Sequence, residues 1–402
     1  MLFKRVLGIA AVLALAAGGA NAQISDGVIK IGVMTDQSGT YADLAGPGSV
    51  VAARMAVEDF GAAKKGIKVE ILVADHQNKP EVGSSIARQW YDVDKVDVIV
   101  DVPTSSVVLA VNQVTREKNK VLIVSTGATV DLTGKACTPN SVHWTYDTWS
   151  LANGTGTAVV KGGGDTWFFL TADYAFGHSL EAQTEAVVQK LGGKVNGKVR
   201  HPFPSADMSS FLLQAQASKA KIIGLANAGA DTINALKQGA EFGIVKGGQQ
   251  FAGLLVFLTD VHSLGLNISQ GLLLTESFYW DLNDRTRGFS KRFAQRHKGA
   301  MPTMGQAGVY SGVLHYLKAV EALKSDEGAK VVAKMKELPT DDPVFGRGRV
   351  RQDGRKIHDM YLFEVKKPSE SKGAWDYYKL RGTIPAEQAF RPEKDGNCPL
   401  VK

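Results

Sequence analysis

Two successive series of short apolar β runs, each alternating with helical patterns, organise this chain. The first series predicts strands at 28–34, 68–74, 96–102 and 121–125 with helices at 49–60, 80–92 and 107–118 between them. The second predicts strands at 166–170, 197–201, 221–225 and 250–257 with helices at 179–191, 209–218 and 231–238. This alternation is typical of parallel sheets covered by helices. Because the 402-residue chain exceeds the roughly 250–300 residues at which one core stops growing, we expect an α/β protein with two lobes.

The last third of the chain departs from this rhythm. A predicted strand at 271–277 leads into the aromatic run 278–280, helices are predicted at 285–297 and 308–323, and a hairpin is predicted within 344–378. No low-complexity linker separates the two series. The lobes are therefore expected to be joined by several crossing segments and not by one flexible tether.

Residues 1–22 are typical of an export signal. Lys4 and Arg5 precede the apolar run 6–17, and Ala20-Asn21-Ala22 offers the small-x-small pattern of a signal-peptidase site. The apolar run is shorter than the roughly 20 residues of a membrane-spanning helix. We therefore predict cleavage near Ala22 and a periplasmic or secreted protein, a location that excludes most ATP-dependent and nicotinamide-dependent chemistry.

The chain contains two cysteines, Cys137 and Cys398. An exported chain with an even count usually pairs them, so we expect a disulfide that ties the C-terminal tail to the first lobe, with two free thiols as the alternative. The formal net charge is +7, but basic and acidic residues are interspersed and form no basic stripe. The sequence therefore predicts no nucleic-acid partner.

Small hydroxyl-rich loops follow three strands of the first series, at 35–41, 103–106 and 126–129. Ligands of open parallel sheets bind beyond the carboxyl ends of the strands, and helix N-termini there offer N–H donors to an anion. Taken singly, each loop is also explained by ordinary helix capping. The three together favour a binding site for a carboxylate that needs no arginine. Its candidate residues on the first lobe are Tyr41, Ser105, Ala128 and Thr129.

The second lobe is expected to supply the opposite wall of the cleft. Its candidate residues are Asp147, Trp149, Tyr174, Phe176, Asn227 and Asp260. Catalytic patterns are missing from the sequence: it has no G-x-S-x-G elbow, no dinucleotide fingerprint, no phosphate-cradling G-x-x-x-x-G-K and no His-Glu-x-x-His metal spacing. We therefore expect a binding protein without catalysis, cofactor or metal.

Several segments together resemble one family. They are the opening VIKIGVMTDQSGTYADLAGPG, then DHQNKP, VDVIVDVPTSS, VLIVSTGAT, FFLTADYAFGHS and GLLLTESFYWDLND. In order and spacing they resemble the periplasmic branched-chain amino-acid (Leu/Ile/Val) binding proteins of ATP-binding-cassette importers, over about 28–365. The resemblance implies a type I periplasmic binding fold, in which two Rossmann-like lobes joined by three crossovers close on a ligand. It also implies a membrane permease as partner and a monomeric clamp.

The resemblance gives boundaries and roles to parts of this chain. The first lobe is expected to comprise 23–146 and 277–343, the second 147–276 and 344–390, with a tail at 391–402. By resemblance, Ser105 binds the ligand carboxylate beside Ala128 and Thr129, Asp147 helps to hold an ammonium group, and Phe176 covers the ligand. Asn227 falls where amino-acid binders often have an aromatic residue.

The chain departs from the family where a second acidic residue pairs with the ligand ammonium, because 251–258 is apolar and the first acid is Asp260. A buried ammonium without enough partners costs several kcal/mol, which shifts the expected ligand toward an aromatic acid such as a benzoate or cinnamate derivative. The aromatic residues expected to pack on its ring are Tyr41, Trp149, Phe176, Tyr279 and Trp280. Three alternatives stay open: a branched-chain amino acid as ligand, a ligand-sensing receptor domain, and an exported enzyme.

Overall fold

The structure is a computed structural model that describes residues 24–402. The predicted leader and its cleavage point near Ala22 lie outside the described residues. Within 24–402, no helix combines the length and the apolar character needed to cross a bilayer.

The first lobe is built on a parallel five-stranded sheet with the strand order β2-β1-β3-β4-β5. Its strands are β1 (Ile29–Thr35), β2 (Val69–Asp75), β3 (Val98–Asp101), β4 (Val121–Val124) and β5 (Ser141–His143). The connecting helices are α1 (Gly46–Phe60), α2 (Pro80–Gln89) and α3 (Ser105–Glu117). Every residue of β3, β4 and β5 is buried, as expected for strands that helices cover on both faces.

The second lobe repeats this design with a parallel four-stranded sheet of order β7-β6-β8-β9. Its strands are β6 (Thr166–Ala172), β7 (Lys194–His201), β8 (Ile222–Ala226) and β9 (Gln250–Gly253). Its helices are α4 (Thr148–Leu151), α5 (Thr157–Lys161), α6 (Ala175–Lys190), α7 (Ser209–Ala217), α8 (Ala230–Glu241), α9 (Leu258–Leu264) and α10 (Leu266–Ser269). The strand predicted over 250–257 is thus shorter than expected, because the chain leaves the sheet after Gly253.

The remaining elements return to both lobes. In chain order they are β10 (Leu273–Glu276), α11 (Asp284–Arg296), α12 (Met304–Leu323), α13 (Gly328–Glu337), β11 (Thr340–Asp342), β12 (Gly346–Val350), β13 (Lys356–Ile357), β14 (Met360–Val365), β15 (Tyr378–Ile384) and α14 (Ala386–Ala389). Strands β10, β14 and β15 form an antiparallel sheet whose buried Leu274 and Phe363 join the core of the second lobe. Helix α12 packs on α1 and belongs to the first lobe.

Strands β11–β13 lie beside the first lobe, where residue 143 at the end of β5 bridges to residue 355. The sequence analysis assigned 344–390 to the second lobe, so the part of this segment up to Ile357 lies against the other lobe than expected. The contact is a single parallel bridge beside the edge strand β5, and such a long-range contact leaves no local sequence pattern.

The segments that cross between the lobes are tied side by side. The buried guanidinium of Arg355 donates from Nη1 to the carbonyl oxygen of Tyr146 at 3.1 Å, and the same nitrogen lies 3.5 Å from the Asp147 carboxylate. The Nε2 atom of His358 lies 2.8 Å from the carbonyl oxygen of Thr145. These contacts join residues 145–147 to residues 355–358, so two of the crossings bend as a pair.

A disulfide joins Cys137 to Cys398, with 5.6 Å between their Cα atoms. It fastens the C-terminal tail to the first lobe.

Candidate ligand-binding site

A narrow cavity of about 10 Å³ lies between the two lobes. Its lining comes from both sides and is dominated by aromatic rings: Tyr41, Leu44, Pro103, Thr126, Tyr146, Tyr174, Phe176, Ala228, Leu255 and Phe257. This volume holds about one water molecule, so a ligand can enter only when the lobes or the lining side chains move apart. Of the sequence-predicted residues, the lining includes Tyr41, Tyr174 and Phe176.

The loop after β1 is held in place by one buried carboxylate. Asp36 accepts hydrogen bonds from the backbone N–H of Gly39 at 2.7 Å and of Tyr41 at 2.8 Å, and from the Nδ2 amide of Asn78 at 2.7 Å. Asp36 and Asn78, neither of which lines the cavity, therefore hold the loop that orients the Tyr41 ring toward the second lobe.

Three aromatic rings connect the lobes at the edge of the cavity. The hydroxyl of Tyr41 hydrogen-bonds the hydroxyl of Tyr174, and the ring of Phe203 stacks on Tyr174 with 4.3 Å between centroids. The backbone N–H of Ala230 in the second lobe also donates to the carbonyl oxygen of Thr40 in the first, at 3.3 Å. The lobes are therefore in contact, as in a closed clamp.

Burial raises the pKa of both tyrosine hydroxyls at this contact. Tyr41 and Tyr174 consequently stay protonated at neutral pH. One hydroxyl donates to the other, which leaves one O–H group to donate to a ligand. Neutral donors of this kind bind a carboxylate without an opposing positive charge.

The loop after β3 has a strained backbone next to the cavity. Asp101 and Val102 have φ angles of 83° and 56°, in the left-handed region that a β-branched valine rarely occupies. Pro103 then lines the cavity and α3 begins at Ser105. The hydroxyl of Ser105 accepts from the N–H of Thr129 at 3.2 Å. This hydrogen bond joins the loops after β3 and β4.

Ala128 was predicted to bind the ligand carboxylate together with Ser105 and Thr129. It contacts the segment that crosses between the lobes. Its carbonyl oxygen accepts from the N–H of Thr148 at 2.8 Å. Ser105, Ala128 and Thr129 are buried and lie behind the lining residue Thr126, whose hydroxyl donates to the Asp101 carboxylate. None of these three residues is therefore among the cavity-lining residues.

Asp147 is occupied by structural partners. One of its oxygens accepts from the N–H of Ser150 at 2.8 Å, which caps α4, and the other lies 3.5 Å from Arg355. An ammonium group would have to compete with both. In this structure Asp147 positions α4 and the crossing segments, and its role as a partner of the ligand ammonium stays a prediction. Trp149, on the same helix, is half-buried and is not among the cavity-lining residues.

Asn227 and Asp260 also support the wall from behind. The Asn227 amide lies 3.1 Å from Nε2 of His201, and its oxygen accepts from the hydroxyl of Thr232 at 2.7 Å. The carboxyl group of Asp260 accepts from the N–H of Phe257 at 2.9 Å, and burial raises its pKa to about 7. Both side chains hold lining neighbours in place.

Tyr279 and Trp280 lie away from the cavity, contrary to the sequence analysis. The hydroxyl of Tyr279 and Nε1 of Trp280 donate to the carbonyl oxygen of Trp375 at 3.1 Å and 2.7 Å. Both rings pack against the core of the second lobe. They follow β10, which pairs antiparallel with β14 and does not end at the cleft edge of a parallel sheet.

Sequence reasoning missed three aromatic residues of the site. Tyr146 donates to the carbonyl oxygen of Thr126 at 2.8 Å and meets Phe257 edge-on, with 5.9 Å between ring centroids. Phe203 is the third, in the stack with Tyr174. Tyr146 follows the three-residue strand β5, which is too short to recognise, and Phe257 fell inside an overlong predicted strand. An aromatic residue shortly after each strand end is the signal that would have found both.

The lining combines five aromatic rings with hydroxyl groups and contains no charged side chain. Each contact between one of these rings and an aromatic ligand stabilises the complex by about 0.5–1.5 kcal/mol, in addition to the gain from burying the ligand ring. No nucleophile lies beside a base among these ten residues. The site can enclose and orient a small apolar ligand by hydrogen bonds from neutral groups.

The comparisons with known proteins agree with this arrangement. The periplasmic binding protein family model matches residues 28–374. A periplasmic binding protein from Burkholderia mallei is 52% identical, with a TM-score of 0.91 over 94% of this chain and 100% of that one. A branched-chain amino-acid ABC transporter periplasmic ligand-binding protein from Burkholderia xenovorans is 42% identical, with a TM-score of 0.82 over 93% and 100%.

A more distant solute-binding protein from R. palustris, in complex with benzoate, shares the fold at 20% identity, with a TM-score of 0.80 over 90% of this chain and 97% of that one. The family resemblance and the two-lobed α/β fold expected from the sequence are thereby confirmed. This chain is a solute-binding protein and belongs to the periplasmic binding protein family.

Proposed function

We propose that this protein captures a small aromatic acid, such as a benzoate or cinnamate derivative, in the periplasm and delivers it to the permease of an ABC importer. The observation that carries the proposal is the cavity lining, with its five aromatic rings and no charged side chain. The protein would act as a monomer after cleavage near Ala22.

The surroundings of the cavity disfavour an α-amino group. Asp147 is engaged by the cap of α4 and by Arg355, and Asp260 faces the N–H of Phe257. No carboxylate is among the lining residues, so an ammonium ion enclosed here would have no direct carboxylate partner, at a cost of several kcal/mol. A ligand without that group avoids the penalty and still gains the aromatic contacts.

A carboxylate is compatible with neutral donors. The hydroxyls of Tyr41 and Tyr174 stay protonated, and the first N–H groups of α3 lie beyond the loop at Pro103. Because no cation takes part, ligand affinity should vary little with ionic strength.

A branched-chain amino acid is the second candidate, and one observation favours it. The 42% identical Burkholderia xenovorans protein is described as part of a branched-chain amino-acid transporter. Buried carboxyl groups at Asp101 and Asp260 lie near the lining residue Tyr146 and would gain from a positive charge. If the ligand is a branched-chain amino acid, its ammonium group must be stabilised by the carboxyl groups of Asp101 and Asp260.

The test is a thermal-shift screen of the mature protein after unfolding and refolding to remove co-purified ligand. The decisive pair is 3-phenylpropanoate and phenylalanine, which differ by the ammonium group alone, tested beside benzoate, cinnamate, leucine, isoleucine and valine. A ligand at 100 times its Kd stabilises the native state by about 2.7 kcal/mol. We expect shifts with the acids and none with the amino acids. Shifts with amino acids alone would refute the aromatic-acid proposal and leave solute binding intact.

A further inference from the structure

A second, open depression of about 950 Å³ lies next to the ligand cavity and receives residues from both lobes. We call it the rim groove. From the first lobe it takes Asp43, Arg54 and the half-exposed Val73, and from the second it takes His262 and Trp375. The turn after α11, at 297–300, closes one end. Because both lobes contribute, the groove has this shape only while the clamp is closed.

The groove carries an excess of positive charge. Arg54, Arg296 and Lys298 are exposed along it, with Asp43 as the acidic counterpart. Arg296 is paired with Glu58 at 2.7 Å. Among residues 24–402, Arg54 and Lys298 have no carboxylate within ion-pair distance. Their charges are free to meet an acidic partner.

Trp375 forms a rigid aromatic platform at the wall of the groove. Its φ angle of 70° lies in the left-handed region, and its carbonyl oxygen is fixed by donors from Tyr279 and Trp280. Its ring stacks on His262 with 4.0 Å between centroids and 8° between planes. The ring of His262 is fixed in turn, with Nδ1 2.7 Å from the Tyr377 hydroxyl. A preorganised tryptophan in a groove that also contains arginine has the composition of binding hot spots.

We propose that the rim groove docks an acidic periplasmic segment of the permease, with Trp375 as the apolar anchor and Arg54 and Lys298 as the charged contacts. The inference rests on the proposed transport function and names the surface that performs delivery. Because the two lobes form the groove together, the permease would recognise the closed, liganded clamp and release the open one. The positive charges favour an acidic segment over a basic or neutral one.

The test compares three chains in a deletion strain of the source bacterium: wild type, R54E/K298E, and the matched control K219E/K246E. Lys219 and Lys246 are exposed on the second lobe away from the groove, so the control makes the same charge change. Each purified chain is first assayed by thermal shift with benzoate and leucine. Uptake of the radiolabelled compound that shifts the wild type is then measured in cells.

We expect all three chains to show equal thermal shifts, and R54E/K298E to lose at least tenfold in uptake while the control keeps the wild-type rate. W375A, which keeps every charge, should lower uptake in the same direction. Equal uptake by R54E/K298E and wild type would overturn the docking proposal alone. A wild type that shows a thermal shift with none of the acids and amino acids of the full screen would refute both proposed ligand classes, and the docking proposal, which rests on delivery of one of them, would fall with them.

An anionic lipid surface is the other occupant that this chemistry admits, and the same chains distinguish it. Cosedimentation of the wild type, and not of R54E/K298E, with phosphatidylglycerol vesicles that contain no permease would assign the groove to lipid and overturn the proposal. We expect no cosedimentation of either chain.

Discussion

Asp260 offers a quantitative test of how the second lobe supports the cavity. Its carboxyl group is fully buried and accepts one described hydrogen bond, from the N–H of Phe257 at 2.9 Å. Burial raises its pKa from 3.8 to about 7, the single N–H opposes that rise, and Asp43 adds to it slightly. We predict that Asp260→Asn, which keeps an oxygen acceptor and removes the titration, changes how stability depends on pH.

The sign follows from proton linkage. The folded pKa lies above the unfolded value, so the native state binds more protons between pH 4 and pH 7. The wild type therefore loses stability as the pH rises through this window. At 1.36 kcal/mol for each tenfold change in the proton equilibrium, the loss from this group between pH 4.5 and pH 8 is on the order of 3 kcal/mol.

The assay is urea unfolding at half-unit pH steps from 4.5 to 8, with free energies from linear extrapolation. The free energy of unfolding of D260N minus that of wild type should rise by on the order of 3 kcal/mol across the range. Asp284→Asn is the control, because the Asp284 side chain is 99% exposed and its difference curve should stay nearly flat. A D260N-minus-wild-type difference that does not change with pH would refute the conclusion that burial raises the pKa of the Asp260 carboxyl group.

Three further predictions concern other buried groups. Lys356 lies over the Phe345 ring and burial lowers its pKa to about 8, so Lys356→Met should raise the free energy of unfolding at pH 7 by about 1–3 kcal/mol, a gain that shrinks as the pH rises from 8 toward 10 in denaturation curves. Because the Cys137–Cys398 bridge closes a loop of 261 residues, replacing both cysteines by serine should lower stability by about 4–5 kcal/mol, read from urea unfolding with and without reductant. Tyr174→Phe removes the hydroxyl contact between the lobes and should weaken binding of the best screening ligand by about 1 kcal/mol, or roughly fivefold in Kd by calorimetry, while Tm without ligand stays within a few degrees.

The sequence was most informative where the physics is local and periodic. Alternating β and helical patterns gave both sheets, because buried parallel strands and amphipathic helices leave distinct spacings. Tyr41, Tyr174 and Phe176 were found because they follow strands whose carboxyl ends meet at the cleft. Predicting them required only the rule that ligands of parallel sheets bind beyond the carboxyl ends of the strands, and no knowledge of side-chain contacts.

The sequence was least informative where a residue's partner lies far along the chain. Nothing near Asp147 shows that its carboxylate is engaged by Arg355, more than 200 positions away. Tyr279 follows a strand in sequence, but that strand pairs antiparallel with β14 and delivers the ring to a different core. Phe257 was hidden because an apolar run does not show where a strand ends and a loop begins.

The first lobe is finished by residues from the other end of the chain. Helix α12 packs on α1, the hydroxyl of Ser25 donates to Asp326 at 2.6 Å across 301 positions, and Cys398 locks onto Cys137. An emerging N-terminal half therefore has the strands of a sheet and lacks the helix that covers one of its faces. Such long-range closure slows folding. Folding of the first lobe therefore waits for the C-terminal part of the chain, and a fragment that ends before α12 should not complete this lobe.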